Sequence, residues 1–296
     1  MKYKGFKLYE ENEKLFIEGV KDFNLEHIFE CGQCFRWNSN GDDSYYGIVK
    51  DKGVNVIYRD NILEISNTTI KDFIDIWYDY FDLGRDYENI KLELSKKDSI
   101  MKQAVEFGYG IRLLNQDTWE TLISFIISAN NNIARIKKSV EILSQNYGKK
   151  VFNGRNSAYT FPTAKELSEI DLEDLYTSGA GFRCKYILKT AKDIVNNSVN
   201  LYKLDSMDTD IARKKLTTLS GVGNKVADCV LLFSGVKYNI FPTDVWVKRV
   251  MEELYFKREA SMKEIQEFSK SYFKDIAGFA QQYLFYYARQ KKIGVK

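Results

Sequence analysis

Apolar and polar positions come in short alternating runs through the first ~65 residues. "KLFIEGV", "CFRWN", "YYGIVK", "VNVIYRD" and "ILEIS" are rich in aromatic and β-branched residues and partly alternating, as strands with one buried face should be. "NSNGDDS" and "DKG" separate them as turns, so the pattern predicts an antiparallel sheet. The period then changes: Ile70, Phe73, Ile74, Trp77 and Phe81 fall on one stripe at helical spacing. A charged, proline-free stretch, "GRDYENIKLELSKKDS", leads on to the rest of the chain.

From about residue 97 the chain reads as helix after helix. "QDTWETLISFIIS" opens with a capping box, Asp117 with Glu120 three residues on, before an apolar run. "IARIKKSVEILSQNYG" stops at Gly148, as a helix C-cap should. There is no internal repeat and no low-complexity segment. The expected fold class is α+β: an N-terminal antiparallel β-sheet domain with a helix over residues 1–96, then an all-helical domain over 97–296.

Composition narrows the classes. With 296 residues, 44% hydrophobic and 29% charged, the chain is long enough to bury one large core or two ordinary ones and is neither disordered nor fibrous. Its start lacks the apolar run of a secretory signal, and "TLISFIISA" and "DCVLLFSGV" are too short to span a bilayer, so a cytoplasmic location is expected, with no membrane partner. In a reducing compartment the four cysteines, Cys31, Cys34, Cys184 and Cys229, are not expected to form disulfides. "CGQC" has redox or zinc spacing, but the other two cysteines are distant and His27 is the single histidine, which leaves a metal centre short of ligands. Net charge is only +3, so any nucleic-acid contact must come from a local face.

The segment richest in chemistry is "LTTLSGVGNKVADCVLLFSG" (216–235). A helical stretch reaches Leu219, breaks at "SGVG" and restarts at Asn224. Gly221 and Gly223 permit a tight turn, and without Cβ atoms their amides can approach a phosphate, toward which the second helix also aims its N-terminus. By itself "GVG" serves as a plain helix–helix turn more often than as a phosphate site. Lys225 lies in the first turn of that second helix, where the dipole disfavours an ammonium; a neutral amine there can act as a nucleophile. Surface lysines more commonly pair with phosphate or stay solvated. Nineteen residues on, in "IFPTDVWVKRVM", Pro242 ends one segment and Thr243 or Asp244 can cap the next helix.

"LSGVGNKVAD" resembles the hairpin of the helix-hairpin-helix DNA glycosylases. Four further strings, "CGQCFRW" (31–37), "SANNNIARI" (128–136), "GAGFRCKYI" (179–187) and "AGFAQQYLF" (277–285), resemble the 8-oxoguanine DNA glycosylase branch and together reach across nearly the whole chain. The resemblance implies a bifunctional glycosylase and abasic-site lyase acting on duplex DNA. Lys225 would be the nucleophile and Asp244 the acid facing it, steadying oxocarbenium-like charge and assisting proton transfers. The Gly32 carbonyl would accept the N7 hydrogen that 8-oxoguanine has and guanine lacks. Phe285 and Cys229 would sandwich the flipped base while Gln281 bonds its Watson–Crick edge. Asn130, Arg135 and Arg183 would occupy the gap and bind the widowed cytosine, with Phe182 as the wedge. Each of these residues also has an ordinary use, as a turn glycine, a buried apolar side chain or a surface cation.

Departures from vertebrate relatives stand out within that resemblance. Phe182 takes the place of a tyrosine, Trp246 and Ala288 replace a histidine and an aspartate that support the site, and Cys34 stands for a serine. A monofunctional alkyl-purine enzyme of the same fold would not need Lys225, and an iron–sulfur endonuclease would need a cysteine cluster after the hairpin, where none follows Cys229. A non-catalytic hairpin module would not need Gly32, Gln281 and Phe285 together, and "CGQC" does not open a helix in a βαβ setting as a thioredoxin motif would. The expected partner is double-stranded DNA containing 8-oxoguanine, bound by a monomer without a cofactor. The resemblance allows one structural cation at the carbonyls of Thr217, Leu219 and Val222.

Overall fold

The computed structural model describes residues 1–152 and 157–294. Seven strands form one sheet, in the order β1-β2-β3-β7-β6-β5-β4: β1 (Lys2–Tyr3), β2 (Phe6–Glu11), β3 (Lys14–Glu18), β4 (Trp37–Ser39), β5 (Ser44–Val49), β6 (Lys52–Arg59) and β7 (Ile62–Ser66). Every pairing is antiparallel. Alternation sets the register: Leu15 faces Ile65 and Ile17 faces Leu63, all four buried on the inner face. β1 and β2 were not anticipated, because on β2 only Leu8 is buried while Lys7, Glu10 and Glu11 face water.

The Ile70–Phe81 stripe folds as expected into a continuous helix over residues 70–80, with one wider π turn at Phe73–Trp77. Phe73, Trp77 and Phe81 are fully buried against the sheet. A short helix at Leu25–Phe29, capped by the Asn24 side chain on the His27 amide at 3.0 Å, carried no periodic signal at five residues. "CFRWN" departs from expectation: only Trp37–Ser39 is strand, and residues 31–36 are irregular backbone. Side chains from distant segments satisfy that backbone in place of a ladder.

Two hydrophobic clusters organise the chain, one under the sheet and one among the helices. The expected boundary at residue 96 falls between the helices Tyr87–Ser95 and Ser99–Phe107, both of which pack in the helical cluster. Cys31 and Phe35 also enter that cluster from the N-terminal loop, while Leu114 returns to the sheet's. Fully buried Gln33 stitches the two: Nε2 donates to the carbonyls of Ile28 (2.9 Å) and Arg112 (2.8 Å), and Oε1 accepts from the Leu114 amide (2.9 Å). Arg112, also buried, lies over the Tyr87 ring and donates to the carbonyls of Asp82 (2.7 Å) and Asp22 (3.1 Å).

Two helix ends refine the sequence reading. Asp117 caps the helix Thr118–Ser128 by accepting from the Glu120 amide at 2.8 Å, but the reciprocal half of the capping box is missing. The Glu120 carboxylate turns instead to buried Arg36 at 3.5 Å, and burial pushes its pKa up to about 6 despite that partner. The helix Ile133–Tyr147 ends at Gly148 as expected, yet the glycine is extended, not left-handed. Its absent side chain matters for another reason: a Cβ there would sit 1.9 Å from the Thr160 carbonyl oxygen.

Candidate active site

The hairpin joins the helix Thr209–Leu216 to the helix Asn224–Phe233. Gly221 has φ +77°, and a Cβ on it would lie 2.8 Å from the Tyr186 side chain, so this position demands glycine twice over. Gly223 is the N-cap, and nothing stands within 4 Å of where its Cβ would be, which leaves an open approach to the helix amides. One turn beyond Tyr186, Thr190 donates to the Ser220 carbonyl at 3.0 Å and fixes the turn from behind.

Lys225 and Cys229 therefore project from successive turns of one helix into a cavity of about 150 Å³. The same cavity is lined by Gly32, Asp244, Gln281 and Phe285, so six expected residues from four separate segments converge. Lys225 Nζ lies 3.5 Å from Ser128 Oγ and over the face of Phe125 at 5.1 Å. Asp244 caps the helix Val245–Met251, accepting from the Val247 amide at 2.7 Å, while also lining the cavity. Burial pushes the Cys229 thiol up to about 11, so it stays neutral and can serve as a soft apolar wall.

The wall opposite Lys225 is polar in a specific way. Gln282 Nε2 donates to the Cys31 carbonyl at 2.6 Å and Gln116 Nε2 to the Gln33 carbonyl at 2.8 Å. Between these two satisfied groups, the Gly32 carbonyl accepts no hydrogen bond from the described residues. Gln281 Oε1 is buried and likewise unpartnered. Gly32 and Gln281 both line the cavity, and a ligand that brings N–H groups satisfies acceptors that otherwise stay unpaired, at a cost of about 1–3 kcal/mol for a buried one. Gly32 has φ +83°, and a Cβ would approach Phe285 to 3.1 Å, so the loop passes this close to the Phe285 ring as glycine. Trp246 meets Phe285 edge-on at 5.0 Å and braces that ring. Ala288 is fully buried on the helix Ala277–Gln290.

Asn130, Arg135, Phe182 and Arg183 lie outside this cavity. Phe182 is 58% exposed, with the Arg183 guanidinium 4.5 Å from its ring centroid. Arg183 is buried and donates to the carbonyls of Ala129, Asn130 and Ala180. The three asparagines of "NNN" have separate conformational tasks. Asn130 is left-handed at φ +51°, Asn131 donates to the Ile127 carbonyl at 3.2 Å, and Asn132 caps the next helix on the amide of exposed Arg135 at 3.0 Å. Around the hairpin, the Leu219 carbonyl already accepts the Val222 amide at 3.3 Å, leaving the carbonyls of Thr217 and Val222 less committed. Cys31 and Cys34 are both buried, with thiol pKa values pushed well up, unlike a redox pair.

Sequence reasoning missed Ser128, Phe125, Gln282 and Gln116. Ser128 and Gln282 sit inside strings already singled out, but nothing in their spacing announces contacts that arise only when distant segments meet.

A glycine-turned helical hairpin whose lysine shares one small cavity with a carboxylate is the arrangement of a DNA-base excision protein. The chain belongs to the HhH-GPD superfamily of base excision DNA repair proteins, whose model matches residues 123–275. Residues 15–122 match the N-terminal domain of 8-oxoguanine DNA glycosylase. A solved structure of MBOgg1 with a low-affinity DNA ligand is 49% identical, covering 97% of this chain and 99% of that one, with a TM-score of 0.95. The Clostridium acetobutylicum 8-oxoguanine glycosylase/lyase, solved with duplex DNA bearing cytosine opposite 8-oxoguanine, is 43% identical over 97% and 99% of the two chains, with a TM-score of 0.94. A probable N-glycosylase/DNA lyase of Methanothermobacter thermautotrophicus is 32% identical over 77% of this chain and 78% of its own. No helix among the described residues is long and apolar enough to cross a membrane.

Proposed function

We propose that this protein excises 8-oxoguanine from duplex DNA, with cytosine as the preferred opposite base, and nicks the strand by β-elimination in base excision repair. The observation that carries the reading is the pair of unpartnered acceptors, Gly32 carbonyl and Gln281 Oε1, on the cavity that also holds Lys225 and Asp244. An oxidised purine brings the N–H groups those acceptors lack, including the N7 hydrogen that separates it from guanine. Phe285 and Cys229 supply its two stacking faces.

In the reaction, Lys225 Nζ forms a bond to C1′ as the C1′–N9 bond breaks, and the base leaves with that electron pair and a proton. Asp244 balances the positive charge that develops on the sugar. The secondary amine opens the sugar to an imine, loss of a C2′ proton expels the 3′ phosphate, and the strand is cut 3′ to the lesion. The chemistry uses side chains alone.

Single-turnover assays on duplexes with 8-oxoguanine or guanine opposite cytosine test this. Release of 8-oxoguanine with 3′ nicking and no release of guanine is expected. Comparable release of guanine, or no release from either duplex, would refute the reading.

A further inference from the structure

We propose that the segment from Ser128 to Asn130 relays the reading of the opposite base to Lys225, with Ser128 as a positioning residue for the nucleophile. The proposal rests on the function proposed above. Ser128 is the last residue of the helix Thr118–Ser128, and its hydroxyl donates backward to the Phe125 carbonyl at 2.8 Å. With its proton committed there, Ser128 Oγ can only accept from Lys225 Nζ, 3.5 Å away. The Phe125 ring beneath Nζ completes the cradle, so one helical turn sets where the amine points.

The next two residues are held by a different hand. Arg183 Nε donates to the Ala129 carbonyl at 2.8 Å, Nη2 donates to that carbonyl and to Asn130's at 2.9 Å, and Nη1 donates to Ala180's at 3.2 Å. These four bonds leave one of the guanidinium's five N–H groups free. Asn130 stands in the left-handed region at φ +51°, a conformation that the bond to its carbonyl helps to hold. The guanidinium also lies against Phe182, the most exposed ring of this face. Arg183 and Lys225 thus act on the two ends of a three-residue segment, one through its carbonyls and the other through its hydroxyl.

Cytosine presents two adjacent acceptors, O2 and N3, to a guanidinium fork. Engaging both requires Arg183 to release at least one carbonyl, and in the relay the released carbonyl is Ala129's or Asn130's, which re-sets the backbone at residues 129–130 and carries Ser128 with it. Adenine offers one acceptor beside an amino group and cannot take both bonds. The identity of the opposite base therefore reaches the amine as a change in its placement, in addition to any change in DNA affinity.

The test measures single-turnover excision of 8-oxoguanine opposite cytosine and opposite adenine, together with Kd for duplexes carrying a tetrahydrofuran abasic analogue opposite the same bases. The wild-type chain is expected to excise faster opposite cytosine. Ser128→Ala should slow the cytosine duplex about tenfold or more while slowing the adenine duplex much less, so the rate ratio collapses and the Kd ratio stays. Ser128→Thr, which keeps a hydroxyl, should restore most of the ratio. Equal slowing on both duplexes, no slowing, or a Kd ratio that falls with the rate ratio would overturn the relay. Wild-type excision that does not depend on the opposite base would overturn it too. Failure of the wild-type chain to release 8-oxoguanine at all would instead strike the proposed function.

Discussion

The two sides of the hairpin helix are built on opposite plans. On the cavity side, Gly32, Cys229, Asp244, Gln281 and Phe285 come from distant segments and meet on one cavity, yet two acceptors are left without donors among the described residues. On the gap side, Arg183's donors are nearly all spent on the protein's own carbonyls, and Phe182 stands in solvent. The first surface is finished except for its ligand. The second must give up bonds to meet its ligand. On the proposed function, discrimination of the lesion is stored in the free protein, whereas discrimination of the opposite base is exercised only as DNA binds.

Substitutions on the cavity side should carry the larger effects. Lys225→Gln removes the proposed nucleophile and is expected to lower single-turnover excision about 1000-fold or more, with Tm nearly unchanged. Asp244→Asn keeps a competent helix cap but removes the charge. It should cost about 100- to 1000-fold in rate with little loss of stability, and a rate within tenfold of wild type would reduce Asp244 to a cap. Gln281→Leu removes a buried orphan acceptor, so Tm should rise while 8-oxoguanine excision falls by roughly 1–3 kcal/mol in transition-state terms. If Tm fell together with activity, Gln281 would be structural.

On the gap side, Phe182→Ala should leave stability within about 0.5 kcal/mol, since the ring is exposed. Affinity for damaged duplex should drop about tenfold, the worth of one stacked ring. The smallest effect lies outside both regions. Burial lowers the pKa of His27, whose Nδ1 accepts from the Gly110 amide at 3.2 Å. The unfolded chain therefore takes up the proton first, and stability should fall as pH drops below about 6.5, reaching a floor below the folded pKa. Buried Glu120, whose pKa is pushed up to about 6, opposes this slope at the acid end in both chains. The Tm difference between wild type and His27→Asn from pH 7.5 to 5 should therefore carry the slope, and a difference that does not change with pH would refute it.

How much of this was legible in the sequence differs between the two plans. Cavity residues sit in strings whose types are demanding, such as glycines that must be left-handed and a lysine after a hairpin, so all six were named and do meet. Most of the sheet was legible from alternation, but β1 and β2 were not, because β1 has only two residues and β2 buries only Leu8, which leaves no period to read. Glu120 looked like half a capping box, and only the fold could bring Arg36 from the N-terminal loop close enough to draw it away. The gap side was legible as a set of residue types and not as a mechanism. Arg183's grip on the carbonyls of Ala129 and Asn130 joins residues more than fifty positions apart, and no local pattern encodes it.

The most direct test of the account is borohydride trapping on a duplex carrying 8-oxoguanine opposite cytosine, with the adduct mapped by mass spectrometry. A reduced adduct on Lys225 that is absent in Lys225→Gln is the predicted result. No adduct in the wild-type chain, or one that persists in Lys225→Gln, would contradict it.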